Sequence, residues 1–511
     1  MIRCLVLKHQ WQYNMNPFYT LIPDDKPALS DINETITYRE LISRAIEKRD
    51  WLVSMGYKHG HRIGIAGKND VRTYVYYLAG QMLSSVVGLR SDFKGNDWNY
   101  KIPAANINVV LELGENDDDL KVHHQNFDKS TECYKEYAVY FSSGTTSNKW
   151  GSPQATPMVW DVDDFNWGMG ADIVNYNREV INPYYRESDE NIQIQPMHAW
   201  MGWGQECTTL NLIKHGHTIL VGDITEWDEL VERFKPTWTV MFPMIAFKLM
   251  DKNKGGGHPI KCVEMSGARV TEKQVEQMRE FFNCGYFVSH YGTSQSGNFM
   301  HNSGDGSNLQ NIGKPCEGFI HAYGKDFVRI GKHGTLEVKW HGSPPHYTNE
   351  EGYYDTNDVV ELGEDGNYIF KGRANEMLMI RGGSKLQAPS IEDRILENFG
   401  IKEAYVFPIP ESDVNIETDQ ADTRVKITRE EIDSGILYQL PGLLYYGDMT
   451  TEEMHEWCEE NLPLYHRPVH IYRLKDTLSS FTESEVWKVR RLAMHDTLTE
   501  NYQEWCDDWQ L

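Results

Sequence analysis

The sequence predicts an α/β protein: a large N-terminal region of stacked, mainly parallel sheets with helices, then a small C-terminal α+β domain. Three observations predict it. Short apolar runs flanked by turn residues alternate with segments of helical spacing up to about residue 370, the signature of βαβ units. Beyond Gly372 that alternation gives way to a mixed pattern. The 511-residue length exceeds one typical domain, and 40 % apolar with 12 % aromatic residues is enough for more than one core.

In chain order, Arg62–Ala66, Asn108–Leu111, Ala138–Phe141, Thr218–Val221 and Trp238–Phe242 read as short buried strands. Tyr38–Met55, Val71–Ser84 and Glu272–Phe282 carry apolar residues at helical spacing. Ligands of such folds sit at the carboxyl ends of the strands. Past Gly372, a helix over Ser390–Asn398 follows Pro389, with Ser390 as a candidate cap. Strand-like Ala404–Pro408, a helix near Thr451–Glu460 and strand-like Val469–Arg473 complete the small domain. The expected domains are residues 1–373 and 374–511, parted in the polar segment that begins at Gly372.

A formal charge of −25 argues against general binding to nucleic acid or an anionic membrane. No apolar run reaches the length of a membrane span, and the apolar stretch near Met1 is too short for a secretion signal. The eight cysteines form no C-x-x-C pair, so reduced thiols and a cytoplasmic location are expected.

Chemistry concentrates in a few segments. Tyr140 to Gly151 ends an apolar run in a loop of small hydroxylated residues with Gly144 and Lys149. Such a loop lets backbone N–H groups, hydroxyls and an ammonium close on a polyphosphate. It lacks the G-x-x-x-x-G-K-S/T spacing, and by itself such a loop is more often only a surface connection. Tyr291-Gly292-Thr293-Ser294-Gln295 follows a strand-like run and offers an aromatic ring with polar tips, or simply a turn. Asp358, at the start of an apolar run, is a carboxylate able to accept from both hydroxyls of a ribose; a solvated turn residue is the plain alternative. Arg373 suits a phosphate or a surface ion pair, and Lys488 lies in a charged stretch where a solvated lysine is ordinary.

In order and spacing these pieces resemble the acyl-adenylate-forming enzymes, over essentially Asp31 to Leu492. Thr35 to Leu41 resembles that family's opening T-Y-x-E-L, and Pro196-Met197-His198 its segment beside the substrate. Ser266-Gly267-Ala268 resembles the adenine-lining segment, Tyr291 to Gln295 the Y-G-x-T-E motif and Thr356 to Asp358 the T-G-D motif. Gly372-Arg373 with Asn375 and Glu376 resembles the hinge motif G-R-x-D-D, and Lys488 with Arg491 the terminal G-K-x-x-R. Several positions depart from the pattern. Ser147 replaces a glycine, Trp150 stands where a lysine is expected beside Lys149, Asn357 and Trp487 replace glycines, and Gln295 replaces a glutamate that helps hold Mg²⁺. A neutral amide is the poorer ligand for so hard a cation.

The resemblance implies ATP-dependent activation of a small carboxylic acid, with Mg²⁺ as cofactor and CoA as a possible second substrate. It assigns Ser142, Thr145, Thr146 and Lys149 to the β- and γ-phosphates, with Ser143 and Gly144 in the same nucleotide-binding loop. It assigns Ser266, Gly267, Ala268 and Tyr291 to the adenine, with Gly292 nucleotide-binding beside them and its neighbourhood part of the acid pocket. Asp358 would hold the ribose, Arg373 the ribose or phosphate edge, Ser294 the α-phosphate, and Gln295 would lie near the metal. Lys488 would bridge the acid and the α-phosphate. His198, Trp200 and Trp203 would line a pocket for a small or flat acid, unless the tryptophans simply fill the core. The small domain would be mobile, turning about a hinge near Asn375 and Glu376. Transfer to a carrier protein, an amine or a sugar is the alternative outcome. A nucleotide- or acyl-adenylate-binding protein without turnover is another, favoured by Gln295 and the altered loop.

Overall fold

The computed structural model describes residues 21, 24–89, 101–114, 116, 119–125, 136–141, 157–161, 191–210, 212, 216–253, 259–293, 296–309, 311–339, 348–374, 378–379, 385–398, 400–410, 439–463, 466–481 and 491–510. Two large sheets dominate. One has six strands, in spatial order Lys121–His124, Val109–Glu112, Arg62–Ala66, Ser85–Leu89, Glu136–Phe141 and Pro157–Asp161. Its four inner strands are parallel and both edges antiparallel.

The other sheet has nine strands. Its parallel centre runs Tyr286–Thr293, Cys262–Met265, Trp238–Met241, Ile192–Gln195, Thr218–Val221 and Pro27–Ser30. Between successive strands lie the helices Trp227–Phe234, Pro243–Lys252 and Glu272–Phe282, so the parallel order follows from βαβ connections. The central strands are buried along their length, which is why they read as apolar runs without alternation.

Local chemistry sets the helix ends. In helix Tyr38–Ser54, Thr37 accepts from the backbone N–H of Glu40, and the Glu40 carboxylate accepts from that of Thr37. The T-Y-x-E-L segment is therefore a capping box that satisfies two otherwise unpaired donors. Asn69, just past strand Arg62–Ala66, donates from Nδ2 to the carbonyls of Gln195 (3.0 Å) and Gly222 (2.8 Å), tying the two sheets together where their parallel strands end.

A four-stranded antiparallel sheet follows: Val328–Ile330, Thr335–Val338, Tyr354–Leu362 and Tyr368–Arg373. The last sheet comprises Ile401–Pro410, Gln439–Gly447, His470–Leu474 and Cys506–Gln510, covered by helices Ala388–Leu396, Thr451–Asn461 and Arg491–Trp505. Its two apolar clusters hold no residue before Leu378, and the clusters of the preceding sheets hold none after Tyr368. Contacts join the two parts: Arg269 Nη1 to Asp393 Oδ2 (2.5 Å), Lys273 Nζ to the Asn398 carbonyl (2.9 Å) and Lys402 Nζ to Asp251 Oδ1 (3.3 Å).

The elements fall where the residue pattern puts them, with shifted ends. Ser390 is a correction: helix Ala388–Leu396 begins earlier, Gln387 holds the cap position, and the Ser390 hydroxyl donates back to the Gln387 carbonyl (2.7 Å). Pro389 belongs to the first turn, where its missing N–H costs nothing.

Candidate active site

The carboxyl ends of the parallel strands gather the polar residues. His198 follows strand Ile192–Gln195, Asp223 follows Thr218–Val221, Phe242 follows Trp238–Met241, and Ser266 follows Cys262–Met265. Tyr291 lies in the last turn of strand positions of Tyr286–Thr293. Parallel alignment brings these five strand ends to one edge of the sheet, the usual place for a ligand.

Asp358 and Arg373 come from the neighbouring antiparallel sheet, where they are directly opposed register partners. The Tyr291 hydroxyl donates to Asp358 Oδ2 (2.6 Å), so it joins that sheet to the strand-end edge. Burial, and next the Asp358 charge, push the Tyr291 phenol well above its ordinary range, so it stays protonated and acts as the donor. Arg373 Nη2 donates to the Thr356 carbonyl (3.1 Å), while Nε lies 3.4 Å from Asp358 Oδ1 and makes no hydrogen bond. Asp358 is buried where the two sheets meet. Thr356 fixes the turn, its hydroxyl donating to the Leu336 carbonyl (2.8 Å) and accepting from the Asp358 N–H (3.2 Å).

Asn357 has φ +60°, in the left-handed region. Asparagine is among the few side chains that enter it readily, so the replacement of glycine in T-x-D keeps the backbone path. At Gly267, φ is +89° and a Cβ would stand 2.5 Å from the Phe242 ring. At Gly292 a Cβ would stand 1.9 Å from the Gly297 carbonyl oxygen, inside a bulged strand turn. Both glycines keep backbone bare at the strand-end edge.

The residues expected beside the acid form a second group. His198 Nε2 lies 3.0 Å from Asp223 Oδ1, and that hydrogen bond holds the Asp223 carboxyl below its usual range against the opposing effect of burial. The His198 ring stacks on Trp200 with centroids 6.1 Å apart. Trp203 opens helix Gly202–Leu210 and packs on Phe242 (5.4 Å) and edge-on to His290 (6.4 Å). Both tryptophans pack against the apolar cluster of the nine-stranded sheet, so they belong partly to the core as well. Behind them His290 Nε2 and Glu264 Oε2 pair at 3.1 Å, with side chains 5 % and 0 % exposed.

Ser142, Ser143, Gly144, Thr145, Thr146, Lys149, Ser294, Gln295, Asn375, Glu376 and Lys488 lie outside the described residues. Arg491 is described, and it is a scaffold residue. It pairs through both Nη atoms with the buried Glu392, and Nη1 donates to the Val406 carbonyl (2.9 Å). Among the described residues no group of three or more His, Cys, Asp or Glu is placed to hold a metal ion. Sequence reasoning missed Asp223, Glu264, Glu392 and Asp393. Asp223 carried a usable signal: it is a carboxylate just past the end of an apolar strand-like run.

No protein-family model matches the chain. Malonate–CoA ligase of Arabidopsis thaliana is 25 % identical over 221 residues, 40 % of this chain and 34 % of that enzyme. 2,3-Dihydroxybenzoate–AMP ligase of Bacillus subtilis is 24 % identical over 212 residues, 36 % of this chain and 37 % of that enzyme. The chain thus spans about a third of the length of these curated relatives. A 2-succinylbenzoate–CoA ligase of Listeria monocytogenes is 20 % identical over 399 residues, covering 73 % of this chain and 80 % of that enzyme. Among solved structures, ATP-bound MatB from Rhodopseudomonas palustris superposes with a TM-score of 0.71 at 15 % identity, over 96 % of this chain and 99 % of the other. Wild-type E. coli MenE with a bound analogue of OSB-AMS superposes with a TM-score of 0.63 at 16 % identity, over 93 % of this chain and 96 % of the other. The chain thus shares the fold of these solved ligases, and the curated relatives it resembles in sequence are acid–CoA and acid–AMP ligases.

Proposed function

We propose that the chain activates a carboxylic acid with ATP, forming an acyl-adenylate and pyrophosphate, and then passes the acyl group to the thiol of CoA. The observation that carries this reading is the Tyr291–Asp358–Arg373 arrangement, set beside the bare backbone of Gly267 at the strand-end edge. It offers a ribose a buried carboxylate, and Gly267 lets the turn expected to line the adenine pack closely on the Phe242 ring. The relatives' names support it, since each is a ligase acting on an acid.

In the first step a carboxylate oxygen of the acid attacks the α-phosphorus. The new acyl–phosphate bond forms as the bond to the bridging oxygen breaks, and pyrophosphate leaves with that electron pair. The protein's task is positioning and charge neutralisation rather than covalent help. Asp358 holds the ribose, with Tyr291 donating to one of its oxygens and Arg373 beside the other. Ser266 to Ala268 line the adenine, with Gly292 letting the neighbouring turn close tightly on Gly297. We assign Ser142 to Thr146 and Lys149 to the β- and γ-phosphates, and Ser294 to the α-phosphate. Lys488 neutralises charge developing between acid and α-phosphate. Mg²⁺, when bound near Gln295, supplies further neutralisation of the phosphates. In the second step the thiol sulfur attacks the acyl carbon, the thiol proton is lost, and AMP departs. We read residues 1–373 and 374–511 as two domains with a hinge at Asn375 and Glu376, and the separate apolar clusters support that reading.

A carrier protein as acceptor has the names of several relatives in its favour. A fatty acid–acyl-carrier-protein ligase of Mycobacterium marinum is 40 % identical over 88 residues, though these are 15 % of this chain. Incubation with ATP, Mg²⁺, CoA and a panel of acids tests both readings, with pyrophosphate measured enzymatically and thioester by mass spectrometry. Pyrophosphate with acyl-CoA is the expected result. Pyrophosphate without acyl-CoA moves the acceptor to a carrier protein or amine, and neither product reduces the chain to a binding protein.

A further inference from the structure

The acid-side wall carries two buried nitrogens without hydrogen-bond partners, Nδ1 of His198 and Nε1 of Trp203. They are of opposite kinds. Indole Nε1 bears a hydrogen and can only donate. His198 Nε2 faces the Asp223 carboxylate at 3.0 Å, so the proton of the neutral ring resides on Nε2 and Nδ1 is left as an acceptor. One donor and one acceptor therefore sit desolvated, five positions apart in sequence, on the turn and helix that follow strand Ile192–Gln195. Around them the surface is aromatic: Trp200 stacks on His198, and Phe242 lies against Trp203.

Resting on the activation reading above, we propose that the acid is small and flat and carries hydroxyl substitution away from its carboxylate. A hydroxyl both accepts and donates, so hydroxyl oxygen and hydrogen satisfy Trp203 Nε1–H and His198 Nδ1. A methyl group of the same size leaves both nitrogens unpaired in a water-poor wall, and a second carboxylate satisfies the indole but not the imidazole acceptor. Leaving such groups unpaired is what makes a site reject the analogue lacking the hydroxyl. The aromatic flanks favour a planar ring over a long alkyl chain.

The test compares benzoate, a methylbenzoate, the matching hydroxybenzoate and the matching benzenedicarboxylate on the full chain. Two readouts are taken: kcat/KM in ATP–pyrophosphate exchange, and binding by calorimetry in the presence of ATP. The hydroxylated acid should exceed its methyl isostere on the order of 100-fold in kcat/KM. Trp203→Phe keeps the ring and removes the N–H. It should cut the hydroxylated acid about 10-fold and move the methyl acid by less than about 3-fold. Equal or better use of the methyl or dicarboxylate analogue overturns the proposal while leaving acid activation standing. So does a Trp203→Phe variant that loses both acids alike. Selective binding of the hydroxylated acid without any exchange does the reverse: it sustains this proposal and removes the activation reading. No selective binding and no exchange removes both. Should Trp203→Phe fail to fold, the comparison of acids on the unaltered chain decides alone.

Discussion

Asp358 works in two directions. One carboxylate oxygen is held by the Tyr291 hydroxyl and the other faces Arg373 Nε, while the same carboxylate is the one assigned to a ribose. Asp358→Ala removes the acceptor and leaves the Tyr291 hydroxyl and Arg373 without their partner. We expect KM for ATP to rise about 10- to 100-fold, the loss of one or two charge-assisted hydrogen bonds, with the fold retained by circular dichroism. An unchanged KM would remove Asp358 from the nucleotide site. Asp358 stood out in the sequence as a carboxylate opening an apolar run, a local pattern, and the resemblance singled it out from an ordinary turn residue. Glu264 and His290 were not, because their pairing depends on two strands 26 residues apart becoming neighbours. Asn357 looked like a departure from a required glycine. The left-handed backbone at that position shows it to be one of the few tolerated substitutes.

At the scale of elements, strands Arg62–Ala66 and Thr218–Val221 could be read directly, since burial on both faces demands short unbroken apolar runs. Helix Tyr38–Ser54 was readable from its apolar spacing, and the structure adds that Thr37 and Glu40 form a local capping box at its start. Helix Ala388–Leu396 was harder. Its proline sits inside the first turn rather than before it, and its buried Glu392 breaks the apolar pattern of that face. The partner that makes Glu392 tolerable is Arg491, 99 positions away. Glu392 also accepts from the Val406 N–H (2.7 Å), so it pins a helix, a strand and the start of helix Arg491–Trp505 together. Glu392→Ala strands a buried guanidinium. Denaturant unfolding should show a loss of about 3–5 kcal/mol, and Glu392→Leu combined with Arg491→Met should recover most of it. A loss below about 1 kcal/mol would mean the pair is solvated and replaceable.

The molecule as a whole is held across its two parts by ionic contacts: Arg269 to Asp393, Lys402 to Asp251, and Lys273 to a carbonyl. None was visible in sequence, since each needs the C-terminal sheet to be seated against helices of the nine-stranded one. Beside this seam Glu403 is buried, accepting from the Leu478 N–H (2.9 Å) and the Tyr405 hydroxyl (3.1 Å). Burial, aided by the charges of Asp251 and Asp476, pushes its carboxyl from an ordinary 4.5 up to about 7. The folded chain therefore binds this proton more tightly than the unfolded chain. Its contribution falls as pH rises from about 4.5 to about 7 and stays lost above that, a cost of about 3 kcal/mol from one kcal-scale step per pH unit. Glu403→Gln should be more stable than the unaltered chain at pH 8 and indistinguishable from it at pH 4.5. Parallel stability curves would show that Glu403 does not titrate in that window.

The central claim is acid activation, and ATP–pyrophosphate exchange with Mg²⁺ and a panel of carboxylic acids tests it most directly. Exchange that depends on the acid and is lost in Lys488→Ala is the predicted result. Nucleotide binding with no exchange for any acid would contradict the claim, and exchange undiminished in Lys488→Ala would contradict the role given to that lysine.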